Sequence, residues 1–290
     1  MNNEQKYLDT ITKIYKDNLI GDDCAEIKIT NPVISQDTLV EGIHFDFKYM
    51  NPSEVASKAL LANISDILAS GAEPKYFSVS LSGKLDSKFI KNFYKGLYET
   101  GKKYKLKLTG GDLTGADKVV ISITIFGNSK DRKLSSRKNA KPGYIVACAG
   151  FFGTSAKGLY ELQKGIKSSD FIEIHKCPNL YPKISKEIST KAKHPYAMID
   201  SSDGLCDCLY KISQASNVKI DVNYNEIPKK TDNKDFVLFG GEDYCLVVCL
   251  HNDDFKKIKG LTKIGNVYEG TGVFVDGKKL LYKSFNHFSS

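Results

Sequence analysis

The stretch PSEVASKALLANISDILASGAEPKYFSVSLS, residues 52–82, decides how this chain folds. Pro52 and Ser53 open it and Gly71 stands beyond its middle. Proline suits the first turn of a helix and glycine its left-handed stop, so the spacing predicts a helix of about five turns between them. Directly after it, 76–82 (YFSVSLS) alternates apolar and polar residues, the period of a strand with one covered face. Working downstream, Asp86 can cap a second long helix carrying Phe89, Ile90, Phe93, Tyr94, Leu97 and Tyr98, with strands expected near 105–109 and 119–127. Upstream, Tyr7, Leu8, Ile11, Ile14 and Tyr15 have helical spacing within 4–18, and VISQDTLV (33–40) reads as a short strand. Strands alternating with helices place the chain among α/β or α+β folds.

The stretch 128–143, NSKDRKLSSRKNAKPG, lacks apolar periodicity and is rich in charge and serine, which marks a link between domains. The expected boundary is Arg137, giving domains 1–137 and 138–290. Beyond it the pattern predicts a strand over 144–149, helices opening around Gly153 and near 180–192, and a strand and helix within AMIDSSDGLCDCLYKI. Further strands are expected near 218–224, 243–250, 262–267 and 272–276. No repeat of fixed period is visible.

Composition narrows the class. With 290 residues and 41% hydrophobic side chains the chain can bury one large or two medium cores, which excludes a disordered tail. Its 42 Lys and Arg against 34 Asp and Glu leave a net charge of +8, but the lysines are scattered rather than gathered into a tract. The charge is read first as solubility, then as attraction for anionic substrates. No run approaches the ~20 apolar residues of a membrane span and the N-terminus is polar, so a cytoplasmic location is expected. Seven cysteines, odd in number and without a CxxC pair, argue against a disulfide framework or a zinc ribbon. Most are expected in the core.

The informative feature is a set of acids at the ends of apolar segments. They are Asp22 and Asp23 in LIGDDCA, Asp37 in VISQDTLVEGIHF, Asp66 in LLANISDILASGA and Asp112 in KLTGGDLTG, then Asp200 and Asp203 in MIDSSDGL, and Glu242 and Asp243 in LFGGEDYCL. Asp66 falls toward the negative end of its helix dipole, where a carboxylate needs a compensating cation or donor. Asp112 follows Gly110 and Gly111 at an expected strand end, where missing side chains let a phosphate approach while the acid holds a metal. Taken singly, Ser202 or Asp203 could be a helix N-cap, and the Gly-Gly-acid elements could be turns. Converging acids would repel one another unless divalent ions intervened, and oxygen donors without a histidine or cysteine cluster point to magnesium. Neither GxxxxGK[ST] nor a GxGxxG after a strand is present.

The motifs GDD, DTLVEGIHF, KALLANISDILASGA, LTGGDLTG, SRKNAKPG, GTSAKGL, IDSSDGL and GGEDYCL follow one another from about Gly21 almost to the C-terminus. This ordered series resembles the thiamine-monophosphate kinase family of the AIR-synthase-like, or PurM-like, superfamily. The resemblance implies a two-domain PurM-like fold, with an N-terminal ATP- and metal-binding dimerisation domain and a C-terminal α/β domain. It also implies ATP-dependent phosphorylation of thiamine monophosphate to thiamine diphosphate, several Mg2+ ions and a homodimer. Carried over by position, Asp23, Asp37, Asp66, Asp112, Asp200 and Asp203 match metal-binding acids, with Ser35 beside Asp37. Asp66, Asp112 and Asp203 are the expected catalytic acids. Gly111, Asp112, Arg137 and Ser202 match nucleotide contacts, and His44, Glu242 and Phe285 match substrate contacts.

Three positions depart from the family pattern: Leu113 to Ala116 where an arginine commonly follows GGD, Lys183 where an arginine is common, and Asn286 where an aspartate is usual. The chemistry fits the resemblance, because a phosphate acceptor is already ionised at neutral pH and needs positioning more than a strong base. An aromatic face at Phe285 suits a cationic thiazolium. Two alternatives remain at this stage. One is another ATP-dependent enzyme of the superfamily, a purine-pathway cyclase or amide-activating enzyme or a selenophosphate-forming one. The other is a basic protein that binds nucleic acid, recognisable by steep salt dependence.

Overall fold

The computed structural model describes residues 3–16, 19–20 and 23–284 of the chain. It divides into two compact units, Met1–Ile67 with Glu73–Lys130, and Leu68–Ala72 with Asp131–Ser290.

The first unit is built on β1 (Pro32–Val40), β2 (Glu73–Ser82), β3 (Lys107–Thr114) and β4 (Val120–Asn128), in the spatial order β1-β4-β2-β3. Strand β4 is antiparallel to β1 and β2, whereas β2 and β3 are parallel. A parallel pair needs a crossover, and α3 (Ser87–Lys103) supplies it between them. Asp86 starts that helix as expected, its carboxylate accepting the Phe89 N–H at 2.6 Å. Helices α1 (Asn3–Ile14) and α2 (Pro52–Ser70) complete the unit, although the last three residues of α2 count with the second. The alternation in the strands sorts their faces. Phe77, Val79, Leu81, Ile121, Ile123 and Ile125 are buried, as are Leu60 and Ile64 of α2 and Ile90, Phe93 and Leu97 of α3. On the other face Ile34 is 66% exposed, Thr38 and Ser122 share a hydroxyl contact of 2.7 Å, and Thr124 donates to Gln36 at 3.1 Å.

Strand β3 corrects the sequence reading. It does not stop near 109 but runs through Gly110, Gly111 and Asp112 to Thr114. Phe77 pairs with Leu108 and Ser78 with Gly110, so Thr109 is an extra residue, a bulge whose hydroxyl donates to the Phe77 carbonyl at 3.0 Å. A Cβ on Gly111 would lie 1.8 Å from the Val79 carbonyl oxygen. That glycine is required by the close approach of two strands, not by a turn.

The second unit carries β5 (Ile145–Ala149), β6 (Ala197–Asp200), β7 (Lys219–Val222), β8 (Leu246–Leu250), β9 (Thr262–Tyr268), β10 (Gly272–Val275) and β11 (Lys278–Lys279) in one sheet, ordered β11-β10-β7-β9-β5-β8-β6. Its helices are α4 (Thr154–Gln163), α5 (Asp170–Lys176), α6 (Pro182–Lys191), α7 (Leu205–Ser216), α8 (Lys234–Phe239) and α9 (Asn252–Phe255). Every residue of β5 and β8 is buried, because helices cover both faces of the sheet's middle. Val146, Cys148, Val247 and Cys249 pack on the side of α7, and Ile145, Ala147, Val248 and Leu250 on the side of α6. Five of the seven cysteines are buried and free, with Cys24 and Cys177 exposed. The charged stretch after β4 is bonded into this unit: Arg132 donates to the Gly71 and Ala72 carbonyls at 3.2 Å, and the Ser135 N–H to Ser70 at 2.9 Å. Strand β8 begins at Leu246 rather than 243, since Glu242 (φ 63°) and Tyr244 (φ 50°) take left-handed backbone that a strand excludes.

Candidate active site

In the first unit, one helix face meets one strand face. Asn63 and Asp66 are three apart on α2, and Ser35 and Asp37 are two apart on β1, so each pair points the same way. The Ser35 hydroxyl donates to Asp66 at 2.5 Å and the Asp37 N–H donates to the Asn63 side-chain oxygen at 3.1 Å. The donor that Asp66 needs at the negative end of its helix therefore includes a serine from the strand. His44, just after β1, accepts the Val40 N–H on Nδ1 at 3.0 Å, which puts the proton of the neutral ring on Nε2.

A second group lies at the other edge of the sheet. Asp23, Tyr94, Gly110, Gly111 and Asp112 line one cleft of about 470 Å³, walled by Leu8, Ile11 and Ile27. Asp112 is exposed and accepts the Thr114 hydroxyl at 3.0 Å. The register separates this group from the first. Asp112 stands in a cross-strand row with Ser80, Ser122 and Thr38, whereas Asp37 stands in the next row with Ile123, Val79 and Gly111. Adjacent rows face opposite sides, and with two strands between them β1 and β3 stand three spacings, roughly 14 Å, apart.

In the second unit, the sequence-distant elements IDSSDGL and GGEDYCL fold into one site. The Glu242 N–H donates to Ser202 O at 2.7 Å, Tyr244 N–H to Ser201 O at 3.0 Å, and Ser201 N–H to Cys245 O at 2.9 Å. Asp200 closes β6 and is buried, with Ser202, Asp203 and Glu242 beside it on these loops. Neither Ser202 nor Asp203 is an N-cap: Gly204 (φ 101°) holds that position of α7 without a side-chain bond. Instead Asp203 receives the Ser202 hydroxyl at 3.2 Å and the Lys211 ammonium at 3.4 Å. Lys211 also meets buried Asp207 at 2.6 Å. Burial alone would lower the Lys211 pKa, but Asp207 and then Asp203 raise it above the usual lysine value. Asp243 is no turn acid. It is buried and accepts from Gly153 N–H (2.6 Å), Thr154 Oγ1 (2.7 Å) and Ser155 N–H (2.8 Å), capping α4 from a distant loop.

Arg137 is exposed on a short 3-10 turn, Arg137–Asn139, whose carbonyl accepts from Ser216 at the far end of α7. Ser202 precedes the near end, so the two nucleotide positions read from the sequence are not adjacent in their backbones. Phe285, Asp22 and Asn286 lie outside the described residues. Sequence reasoning missed Tyr94 as a lining residue, having given it only to the helix core; burial, with the Asp112 charge adding to it, pushes its hydroxyl pKa upward. It also missed Lys211, although the Asp207-to-Lys211 spacing of four is a visible helix pair.

The candidate donors named from the sequence in both units carry oxygen, except His44, which carries nitrogen. Among the described residues, no group of three or more His, Cys, Asp or Glu side chains could hold a metal ion. That still fits magnesium, which usually takes one or two carboxylates and fills its shell with water and substrate phosphates.

Comparison with known proteins places the chain. The family described as AIR synthase related protein, N-terminal domain, matches residues 21–128. The thiamine-monophosphate kinase of Bacillus subtilis is 35% identical over 93% of each chain, and that of Aquifex aeolicus 31% identical over 97% of this chain and 96% of its own. A solved structure of AaThiL complexed with AMPPCP and TMP superposes with a TM-score of 0.82 at 30% identity, covering 99% of both chains. The architecture is thus the PurM-like α+β fold that the motif order implied. With this identity sustained over nearly the whole length, the chain belongs to the thiamine-monophosphate kinase family.

Proposed function

We propose that this protein transfers the terminal phosphoryl group of ATP to thiamine monophosphate, forming thiamine diphosphate. The relative bound to AMPPCP and TMP supports both substrates. The observation that carries the reading is the cleft in which Asp23, Gly111 and Asp112 lie together, since a bare glycine backbone beside carboxylates suits a polyphosphate with its cations. Phosphoryl transfer to an ionised phosphate oxygen calls for alignment and charge neutralisation, and no strong general base is required.

In this reading, Gly111, Asp112, Arg137 and Ser202 contact the nucleotide, and His44, Glu242 and Phe285 the acceptor. The acids Asp23, Asp37, Asp66, Asp112, Asp200 and Asp203, with Ser35, would hold magnesium, and Asp66, Asp112 and Asp203 act at the reacting phosphates. Magnesium when bound supplies neutralisation of the phosphate oxygens and a template for their alignment. The chain's own part is to orient: Ser35 fixes the Asp66 carboxylate, and Lys211 fixes Asp203.

With domains taken as 1–137 and 138–290, the first is assigned to dimerisation. The open sheet face, with Ile34 exposed beside Gln36, Thr38, Ser122 and Thr124, supports a homodimer through this surface. A two-fold axis along the strands would lay β1 of one copy over β3 of the other. A cytoplasmic location is part of the same reading. It is supported by the free cysteines, and no described helix is long and apolar enough to cross a membrane.

The test is purified protein with ATP and magnesium, assayed for thiamine diphosphate. Formation of the diphosphate from thiamine monophosphate is expected. ATP consumption with a different acceptor only, or no product, refutes the assignment.

A further inference from the structure

Glu242 and Asp243 are neighbours in sequence, yet they meet opposite ends of one buried relay. Asp243 accepts the Ser155 N–H at 2.8 Å, the Ser155 hydroxyl meets His175 Nδ1 at 2.9 Å, and the same Nδ1 faces Glu242 Oε2 at 3.7 Å. Ser155 and His175 are 1% and 5% exposed, so the pair is not a nucleophile with its base: no substrate atom reaches that hydroxyl. The pair is held by helix packing. A Cβ on Gly158 of α4 would lie 2.2 Å from the Phe171 carbonyl of α5, so the two helices touch backbone to backbone and leave the ring little freedom.

The backbone of Glu242 is pinned, and the direction of its side chain depends on what meets the carboxylate, His175 among them. Its φ of 63° is left-handed, and its N–H is tied to Ser202. On the far side stands the imidazole. With its proton on Nδ1, the ring donates to Ser155 and presents the same positive edge to the Glu242 carboxylate.

We propose that His175, anchored by Ser155, is a positioning residue that aims Glu242 at the cationic heterocycle of the acceptor and so helps select it. The inference rests on the acceptor being thiamine monophosphate, as read above. A carboxylate held in one rotamer attracts a fixed cationic ring more strongly than a mobile one, because the ordering cost is met before binding. His175 touches neither nucleotide nor transferred phosphate in this scheme. Its loss therefore acts on acceptor binding and leaves the chemical step alone.

The experiment is steady-state kinetics on wild type, His175→Ala, His175→Asn, Ser155→Ala and Glu242→Gln, each checked by thermal melting. His175→Ala should raise KM for thiamine monophosphate about fivefold, the upper size of a partly screened polar contact to a carboxylate at 3.7 Å, with kcat and KM for ATP changed less than about twofold. Asparagine places an N–H near the position of Nδ1, so His175→Asn should recover most of the loss. Adding His175→Ala to Glu242→Gln should change KM no further. An unchanged KM in folded His175→Ala, a fall in kcat instead, or an asparagine variant no better than alanine overturns the proposal. If His175→Ala does not fold, Ser155→Ala decides, with a several-fold rise in KM for the acceptor expected and an unchanged KM overturning it. Wild type that ignores thiamine monophosphate refutes the underlying assignment, and the proposal with it; normal wild-type turnover with unmoved variants refutes the proposal alone.

Discussion

The Ser35 hydroxyl reaches the Asp66 carboxylate at 2.5 Å, joining residues 31 positions apart on β1 and α2. A carboxylate near the negative end of a long helix is unfavourable by itself, and this contact shows one way the cost is offset. Its orientation is set by the strand, so Asp66 is a held, half-buried carboxylate and not a solvated surface acid.

Replacing Asp66 with asparagine should therefore separate activity from folding. The serine bond can persist to the amide oxygen, so the melting temperature should stay within a few degrees of wild type while turnover falls about a hundredfold or more. Kinetics with parallel melting curves check this. Equal loss of both would make Asp66 structural.

Gly111→Ala should act the opposite way. The added methyl would collide with the Val79 carbonyl at 1.8 Å, forcing β2 and β3 apart. A stability loss of about 3 kcal/mol is expected, read as a lower urea midpoint, together with loss of nucleotide binding. Alanine at Gly115, which has open space around it, is the control and should be nearly silent.

Asp243 makes stability depend on pH. Burial pushes its pKa up to about 6, only partly opposed by donors from Ser155, Thr154 and Gly153. The folded value exceeds the unfolded one, so the native state binds this proton more tightly. The contribution is full below about pH 4 and is lost as pH rises through 6, by about 3 kcal/mol in total. The stability gap between wild type and Asp243→Asn should therefore shift against wild type from pH 4 to pH 7. A constant gap across chemical melts would contradict this.

Lys211 should prove to be a counter-ion before anything else. Lys211→Met takes the ammonium away from Asp207, which is 2% exposed and keeps the Tyr282 hydroxyl at 3.0 Å, and should cost about 3 kcal/mol. Adding Asp207→Asn removes the stranded charge and should restore more than half. Calorimetry of the single and double variants checks the sign.

Much of this molecule could be read before it was seen, and the reasons are local. Pro52 and Gly71 bracket α2 because a first turn and a left-handed stop need those residues, and Asp86 caps α3 through its own side chain. The strand through Gly110 to Asp112 was misread because glycine signals a turn in sequence, whereas here the Val79 carbonyl demands it. Asp243 and His175 carry no local sign at all. One caps a helix begun 90 positions earlier and the other meets a loop from another helix, and such meetings follow from tertiary packing. Among the acids, position in the motif order was legible. Their sorting onto two faces and two edges of one sheet depended on a register that the bulge at Thr109 shifts.

The strip Leu68–Ala72 has a consequence for synthesis on the ribosome. It emerges at the end of α2, yet its bonds are to Arg132 and, 117 positions after Leu68, to the Ser185 hydroxyl. The later half of the polypeptide thus cannot finish without reaching back for five residues already made. Expressing 131–290 by itself should leave Ser185 and Arg132 without these acceptors, whereas a fusion that returns the strip to the fragment should rescue its solubility.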